Sequence, residues 1–186
     1  MSWVFAIVAG WLLADLVSGL VHWAEDRLAL DHVPVIGTAV VAPNRLHHAQ
    51  PMAFTRNGFL SRNGTSVIGT AVLTAMVGGS LWFLFGRDVP DQVWMGLAVA
   101  TLGGAMANQI HYWAHVPNRA PGIVQAAQTI GLLQSRGHHA RHHAKPQDQR
   151  YCVLTNWLNP ALDRYGIWRR LERIVPAGWL TLESDG

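Results

Sequence analysis

Three long runs of apolar residues dominate the chain and leave it few ways to fold. Residues 3 to 21 form a 19-residue run interrupted only by Asp15 and Ser18, and residues 66 to 86 and 92 to 110 form two more. A hydrocarbon core about 30 Å thick takes about 20 helical residues to cross, so each run is long enough to span a membrane. The short turn from Gly86 to Asp91 makes the second and third runs an antiparallel hairpin. No basic region precedes the first run and no small-residue cleavage site ends it, so it is not read as a signal peptide. Charged residues make up only 13% of the chain, against about 25% in soluble proteins. Nine tryptophans suit a membrane–water boundary.

Two further apolar stretches are too short to cross. Residues 33 to 41 would reach about 14 Å as a helix and residues 122 to 133 about 18 Å. Both are expected to be re-entrant or interfacial. The predicted fold is therefore an all-α integral membrane protein of about three transmembrane helices plus short re-entrant or interfacial helices. A single domain over 1–178 and a flexible tail over 179–186 complete the reading. One cysteine, Cys152, permits neither an intramolecular disulfide nor a Cys-based zinc site.

Of the fourteen basic residues, Arg87 alone falls in the hairpin turn. The others lie in 22–65 or after 110, which three crossings place on one side. Positive charge marks the cytoplasmic side. The expected topology has the N-terminus outside and the C-terminus inside, in the inner membrane if the source is bacterial.

All ten histidines gather on that inner side: His22, His32, His47, His48, His111, His115, His138, His139, His142 and His143. His111 and His115, like His139 and His143, are four apart and share a helix face. Neutral imidazole is the commonest metal ligand and suits Fe, Zn, Cu and Ni. One open metal site needs three or four protein ligands, so eight or more imidazoles point to two metals. Asp15, Ser18, His22 and Asp26 form a polar stripe along one face of the first run. Asp15 and Asp26 are candidates to accept hydrogen bonds from ligating imidazoles, and Asn108 shares a face with His111.

Some chemistries are excluded. His111-Tyr112-Trp113-Ala114-His115 lacks the glutamate of a zinc protease. No glycine-rich loop cradles a phosphate, and the basic residues border the membrane instead of forming a nucleic-acid surface. Two rival classes remain: a b-type haem electron carrier, which would use only two histidines, and a non-enzymatic metal-binding or transport protein, which would place polar ligands within the spans.

Four stretches together resemble the plasmanylethanolamine desaturase family, the Kua/CarF type of lipid desaturase, to which a plant plastid phosphatidylglycerol acyl desaturase is related. They are Asp15-Leu-Val-Ser-Gly-Leu-Val-His-Trp23, Asn44-Arg-Leu-His-His-Ala-Gln-Pro51, Asn108-Gln-Ile-His-Tyr-Trp-Ala-His115, and the stretch from His138 through Tyr151-Cys-Val-Leu-Thr-Asn-Trp-Leu-Asn159. The likeness runs over roughly residues 11 to 173. Where that family carries His-Asp-Phe-Ile-Glu-Thr-Asn, this chain reads Asn57-Gly-Phe-Leu-Ser-Arg-Asn63.

The resemblance implies two irons on eight ligands: His22, His47, His48, His111, His115, His139, His142 and His143. It leaves His32 and His138 outside that set and gives Asp26 a catalytic role. It implies O2 as co-substrate and a membrane phospholipid as substrate. The leading specific reaction is 1-O-alkyl ether lipid to vinyl-ether plasmalogen. A fatty-acyl desaturase or hydroxylase is the alternative within the superfamily. The electron donor would be of ferredoxin or cytochrome b5 type, attracted by an arginine-rich inner face that includes Arg164, Arg169, Arg170 and Arg173.

Overall fold

The computed structural model describes residues 2–181. Three long helices carry the three apolar runs: α1 (Trp3–Arg27), α3 (Phe59–Phe85) and α4 (Asp91–His115). Five short helices of seven or eight residues fill the rest: α2 (Ala42–Ala49), α5 (Gly122–Thr129), α6 (Arg136–His143), α7 (Leu158–Arg164) and α8 (Ile167–Ile174). Among the described residues there is no strand, only an isolated bridge between Leu28 and Leu180. All three long helices are long and apolar enough to cross a membrane.

Each long helix overruns its apolar run at the histidine-bearing end. α1 continues to Arg27, α3 begins at Phe59 and α4 continues to His115. Backbone hydrogen bonding, not hydropathy, decides where a helix stops. The overrun puts His22, Asp26, His111 and His115 on rigid helix beyond the apolar runs.

α1 and α4 pack closely through small residues. A Cβ on Gly10 would collide with the Gly96 carbonyl, and one on Gly103 would lie 2.7 Å from the Ala14 Cβ. Between membrane helices the drive is close van der Waals contact, which small residues permit. α3 leans on α4, and none of its most apolar stretch is buried. Polar contacts hold it there: Thr74 to Thr101 at 2.8 Å, and Asn108 Nδ2 donating to the Arg62 carbonyl at 2.8 Å.

The stretch 122–133 does not cross. α5 and the turn after it lie beside Ile7, Val8 and Trp11 of α1, lining with Trp157 an open apolar groove of about 420 Å³. The chain then returns through α6 and runs extended along α1 from Tyr151 to Thr155, fully buried or nearly so. Non-helical backbone at this depth must find partners within the protein. Asp15, fully buried, accepts from the Leu154 and Thr155 amides at 2.9 and 3.2 Å and from the Thr155 hydroxyl at 2.5 Å. Gln134 donates through Nε2 to the Cys152 carbonyl at 2.8 Å, and Asn159 does the same at 2.8 Å. Residues 33–41 also stay outside the spans, forming turns and one wide helical turn (Gly37–Val41) that leads into α2.

The chain from Trp179 onward was expected to be a frayed tail. Its first residues instead dock: the Trp179 carbonyl accepts from Ala29 N at 2.8 Å, and Thr181 N donates to the Arg27 carbonyl at 2.9 Å. The returning chain thus caps the end of α1. Residues 182–186 of the expected tail lie outside the described residues.

Candidate metal centre

Four helices deliver imidazoles to one place between the C-terminal ends of α1 and α4. α1 supplies His22, α2 His47 and His48, α4 His111 and His115, and α6 His139, His142 and His143. They sort into two adjoining groups. His47, His111, His115, His139 and His143 form the first, and His22, His48, His142 and Asp26 the second. Within each group one potential ligand atom per residue lies within 4.8 Å of every other.

Helical spacing decides the sorting. On α4 and α6 the i,i+4 pairs 111/115 and 139/143 point the same way, into the first group. His142, one position off, turns into the second. The adjacent pair 47/48 diverges across α2, one ring to each group. His22 and Asp26, four apart on α1, both face the second.

The nitrogens have the spacing and protonation that a metal requires. In the first group the Nε2 atoms of His115 and His139 are 2.8 Å apart, those of His139 and His143 3.0 Å, and those of His111 and His115 3.2 Å. Adjacent ligands about 2.1 Å from one metal would be separated by about 3.0–3.4 Å. In the second group His22 Nδ1 donates to the Tyr151 carbonyl at 3.1 Å and His142 Nδ1 to the Gln149 carbonyl at 2.8 Å. Each bond fixes the tautomer and leaves the Nε2 lone pair pointing inward. His22 Nε2 and both nitrogens of His47 are buried with no hydrogen-bond partner, a cost that a bound cation removes.

Burial, reinforced by the surrounding imidazoles, holds His47, His139 and His142 far below the usual histidine range and pushes His143 down to about 3. All four are therefore neutral at physiological pH, the form that ligates. Asp26 brings the second group its carboxylate. Its Oδ1 lies 3.0 Å from His48 Nε2 and accepts from Asn44 Nδ2 at 2.5 Å, and its Oδ2 is 3.5 Å from His142 Nε2.

Two supporting assignments are corrected. Asp15 reaches no imidazole: it lies seven residues before His22 on α1 and binds the buried backbone of Leu154 and Thr155 instead. Asn108 binds the Arg62 carbonyl and sits 3.5 Å from Thr65 Oγ1, tying α4 to α3. His32 is exposed on a turn away from both groups. His138 faces outward from both, its Nε2 accepting from Asn159 Nδ2 at 3.0 Å beside Arg150. Burial and the Arg150 charge push it down to about 4.

Other contributors had no assigned role. Asn44 sits one helical turn before His48, a spacing that could have marked it. Tyr151 walls the second group, its ring 5.7 Å from His22 and 5.1 Å from His142. Phe54 covers the first, 5.1 Å from His47 and 4.9 Å from His111. Neither aromatic carries a short-range signal, because both arrive from loops.

The lipid desaturase domain matches residues 11–179 of the chain. Plasmanylethanolamine desaturase 1 of Mus musculus is 34% identical over 178 residues, which cover 92% of this chain and 64% of that protein. Plasmanylethanolamine desaturase of Myxococcus xanthus is 30% identical, covering 95% of this chain and 60% of the relative. Fatty acid desaturase 4, chloroplastic, of Arabidopsis thaliana is 33% identical, covering 95% and 55%. The chain thus spans between 55% and 64% of the length of these relatives. No solved structure gives a significant match.

Proposed function

Because this chain belongs to the lipid desaturase domain family, we propose that it is an O2-dependent membrane desaturase whose two donor groups hold two irons. The observation that carries the proposal is the pair of adjoining groups, five imidazoles beside three imidazoles and a carboxylate. A haem carrier would need only two axial imidazoles flanking a porphyrin, whereas rings only 4.3 to 5.0 Å apart by centroid leave no slot for one.

When bound, the irons supply redox chemistry that no side chain offers: one O2 accepts two electrons from a donor and two hydrogens from adjacent carbons, and with two protons leaves as two waters. The chain's own residues hold, orient and exclude. His22 and His142 keep their Nδ1 protons on backbone carbonyls, so their inner nitrogens stay unprotonated. Asp26 supplies negative charge beside His48 and His142. Tyr151 and Phe54 keep water from the imidazoles, and the positioned centre spares the reaction solvent reorganisation.

A membrane phospholipid is the substrate in this proposal. The two plasmanylethanolamine desaturases among the relatives favour a 1-O-alkyl chain converted to a vinyl ether. The likeness to fatty acid desaturase 4 favours an acyl chain as the second reading. Residues 1–178 act as one catalytic domain. The N-terminus lies outside, and the metal centre and C-terminus face the cytoplasm, where an acidic ferredoxin or cytochrome b5 type donor meets Arg164, Arg169, Arg170 and Arg173.

The test is lipid analysis of cells expressing the chain, with an electron donor and O2. Mild acid cleaves a vinyl ether to an aldehyde and spares an alkyl ether. Acid-labile aldehyde that disappears in His142→Ala supports the first reading. A new double bond confined to ester-linked chains supports the second. No change in either lipid class, with iron bound, defeats the desaturase assignment for those lipids.

A further inference from the structure

We infer that Phe54 is the wall against which the lipid chain is positioned at the five-imidazole group, and so determines which carbons react. The inference rests on the desaturase reading and names the substrate-facing side of the centre.

The two groups are closed differently. Tyr151, against the second group, is fully buried under the extended segment that Asp15 clamps to α1. Nothing as large as an alkyl chain reaches the centre there without unpicking that segment. Phe54 is partly exposed and is the one ring other than histidine recorded against the five-imidazole group among the described residues, 4.9 Å from His111, 5.1 Å from His47 and 6.3 Å from His115. Beyond the exposed Arg56 and Asn57, apolar residues face outward on either side of it: Met52, Phe59 and Leu60 are 50%, 60% and 82% exposed. They lead directly into α3, the helix given over to lipid. Hydrocarbon therefore meets the metal centre along this edge.

The Phe54 ring is held in place. Its turn is closed by Thr55, whose amide and hydroxyl both donate to the Met52 carbonyl at 3.3 and 2.8 Å. The turn ends at Asn57, whose carbonyl accepts from Arg62 Nη1 at 2.8 Å. Arg62 is itself buried, bonded to Gln109 at 3.0 Å and stacked 3.8 Å above the Tyr112 ring, next to His111. Phe54 is thus tied through Arg62 to the helix that carries two imidazoles of the group. A fixed apolar ring there can seat a methylene pair in one register. The desaturation needs two adjacent C–H bonds presented together. If the pair shifts, one C–H bond breaks and one C–O bond forms, with two electrons and two protons taken up and the second oxygen leaving as water.

The experiment compares the iron-loaded full chain with Phe54→Ala, Phe54→Leu and Phe54→Trp in micelles. It uses 1-O-hexadecyl phosphatidylethanolamine and dipalmitoyl phosphatidylglycerol as probes. Three quantities are read: iron content, the change in the near-infrared ligand-field bands of the reduced protein on adding lipid, and product identity with kcat and KM. We expect parental iron content. kcat should fall on the order of tenfold to a hundredfold, as for a misplacement of about 1 Å. KM should change less than kcat, hydroxylated or shifted products should appear, and the band change should weaken, with Phe54→Leu milder than Phe54→Ala. Parental kcat, products and band change in both small variants overturn the inference while leaving the desaturase reading intact. Iron loss in both also overturns it, because Phe54 would then only support the cage. If the parent makes no product but its bands shift with lipid in a Phe54-dependent way, the reaction assignment fails and the positioning role stands.

Discussion

The five-imidazole group and the group containing Asp26 use the same kinds of side chain, yet they differ in charge, anchoring and access. α1 serves only the second and α4 only the first, while α2 and α6 each divide their histidines between both. The two short helices therefore bridge the groups and set their separation; the two long ones close them from either side. The first group has five neutral donors, no carboxylate, and an edge toward lipid at Phe54. The second has four donors including one carboxylate, hydrogen-bonded tautomers, and a buried wall at Tyr151. The first group has a donor to spare and faces substrate, whereas the second has none and is locked by its surroundings.

The largest expected effect follows from that difference. Asp26→Ala or His142→Ala leaves the second group three donors, and Asp26→Ala also removes its only negative charge. Metal content should fall from two ions per chain to about one, and turnover should fall by more than the roughly hundredfold typical of losing a supporting residue. Metal analysis beside an activity assay reads this directly. His115→Ala should be gentler, since four imidazoles remain. We expect near-parental metal content with turnover down about tenfold to a hundredfold. Metal loss as complete as in Asp26→Ala would break the asymmetry.

Asn44→Ala tests the anchoring alone. It removes one hydrogen bond to Asp26 and should weaken metal retention on the order of tenfold in a chelator competition, leaving the five-imidazole group loaded. Equal release from both groups would mean that Asn44 supports the helix and not the carboxylate.

Acid should weaken the metal-free protein through its buried histidines. His143 titrates near 3 and His138 near 4 when folded, against 6.5 ordinarily. Between those values the unfolded chain binds more protons than the folded one, so stability falls as pH falls. Thermal midpoints in detergent should decline as pH falls from about 6.5 toward 4. The smallest effect belongs to His32→Ala: the residue is exposed and apart from both groups, so metal content and turnover should match the parent.

Much of this architecture is legible in the residues. The apolar runs are long enough to span, and that length produces α1, α3 and α4. Helical periodicity pairs 111 with 115 and 139 with 143 because i,i+4 residues share a face wherever a helix forms. Asp15 was visible as a costly buried carboxylate, but its partner was not. The Leu154 and Thr155 amides lie about 140 positions away, and no local pattern pairs a helix with a distant extended strip. Phe54, Tyr151 and Arg62 were hidden for the same reason: each acts through contacts with residues distant in the chain.

By itself the sequence determined the number of long helices, the gathering of the histidines at one end, and the likeness to a desaturase family. The first two follow from hydropathy and helical repeat, which depend only on near neighbours; the likeness rests on the four matched stretches. The division of eight imidazoles into groups of five and three, the place of Asp26 in the second, and the lipid-side wall at Phe54 were decided by tertiary structure alone. The reason is that membership of a group depends on the relative rotation of four helices, set by the close packing of Gly10 on Gly96 and of Gly103 on Ala14 and by the buried hydrogen bonds of the returning chain, and none of these is a property of neighbouring residues.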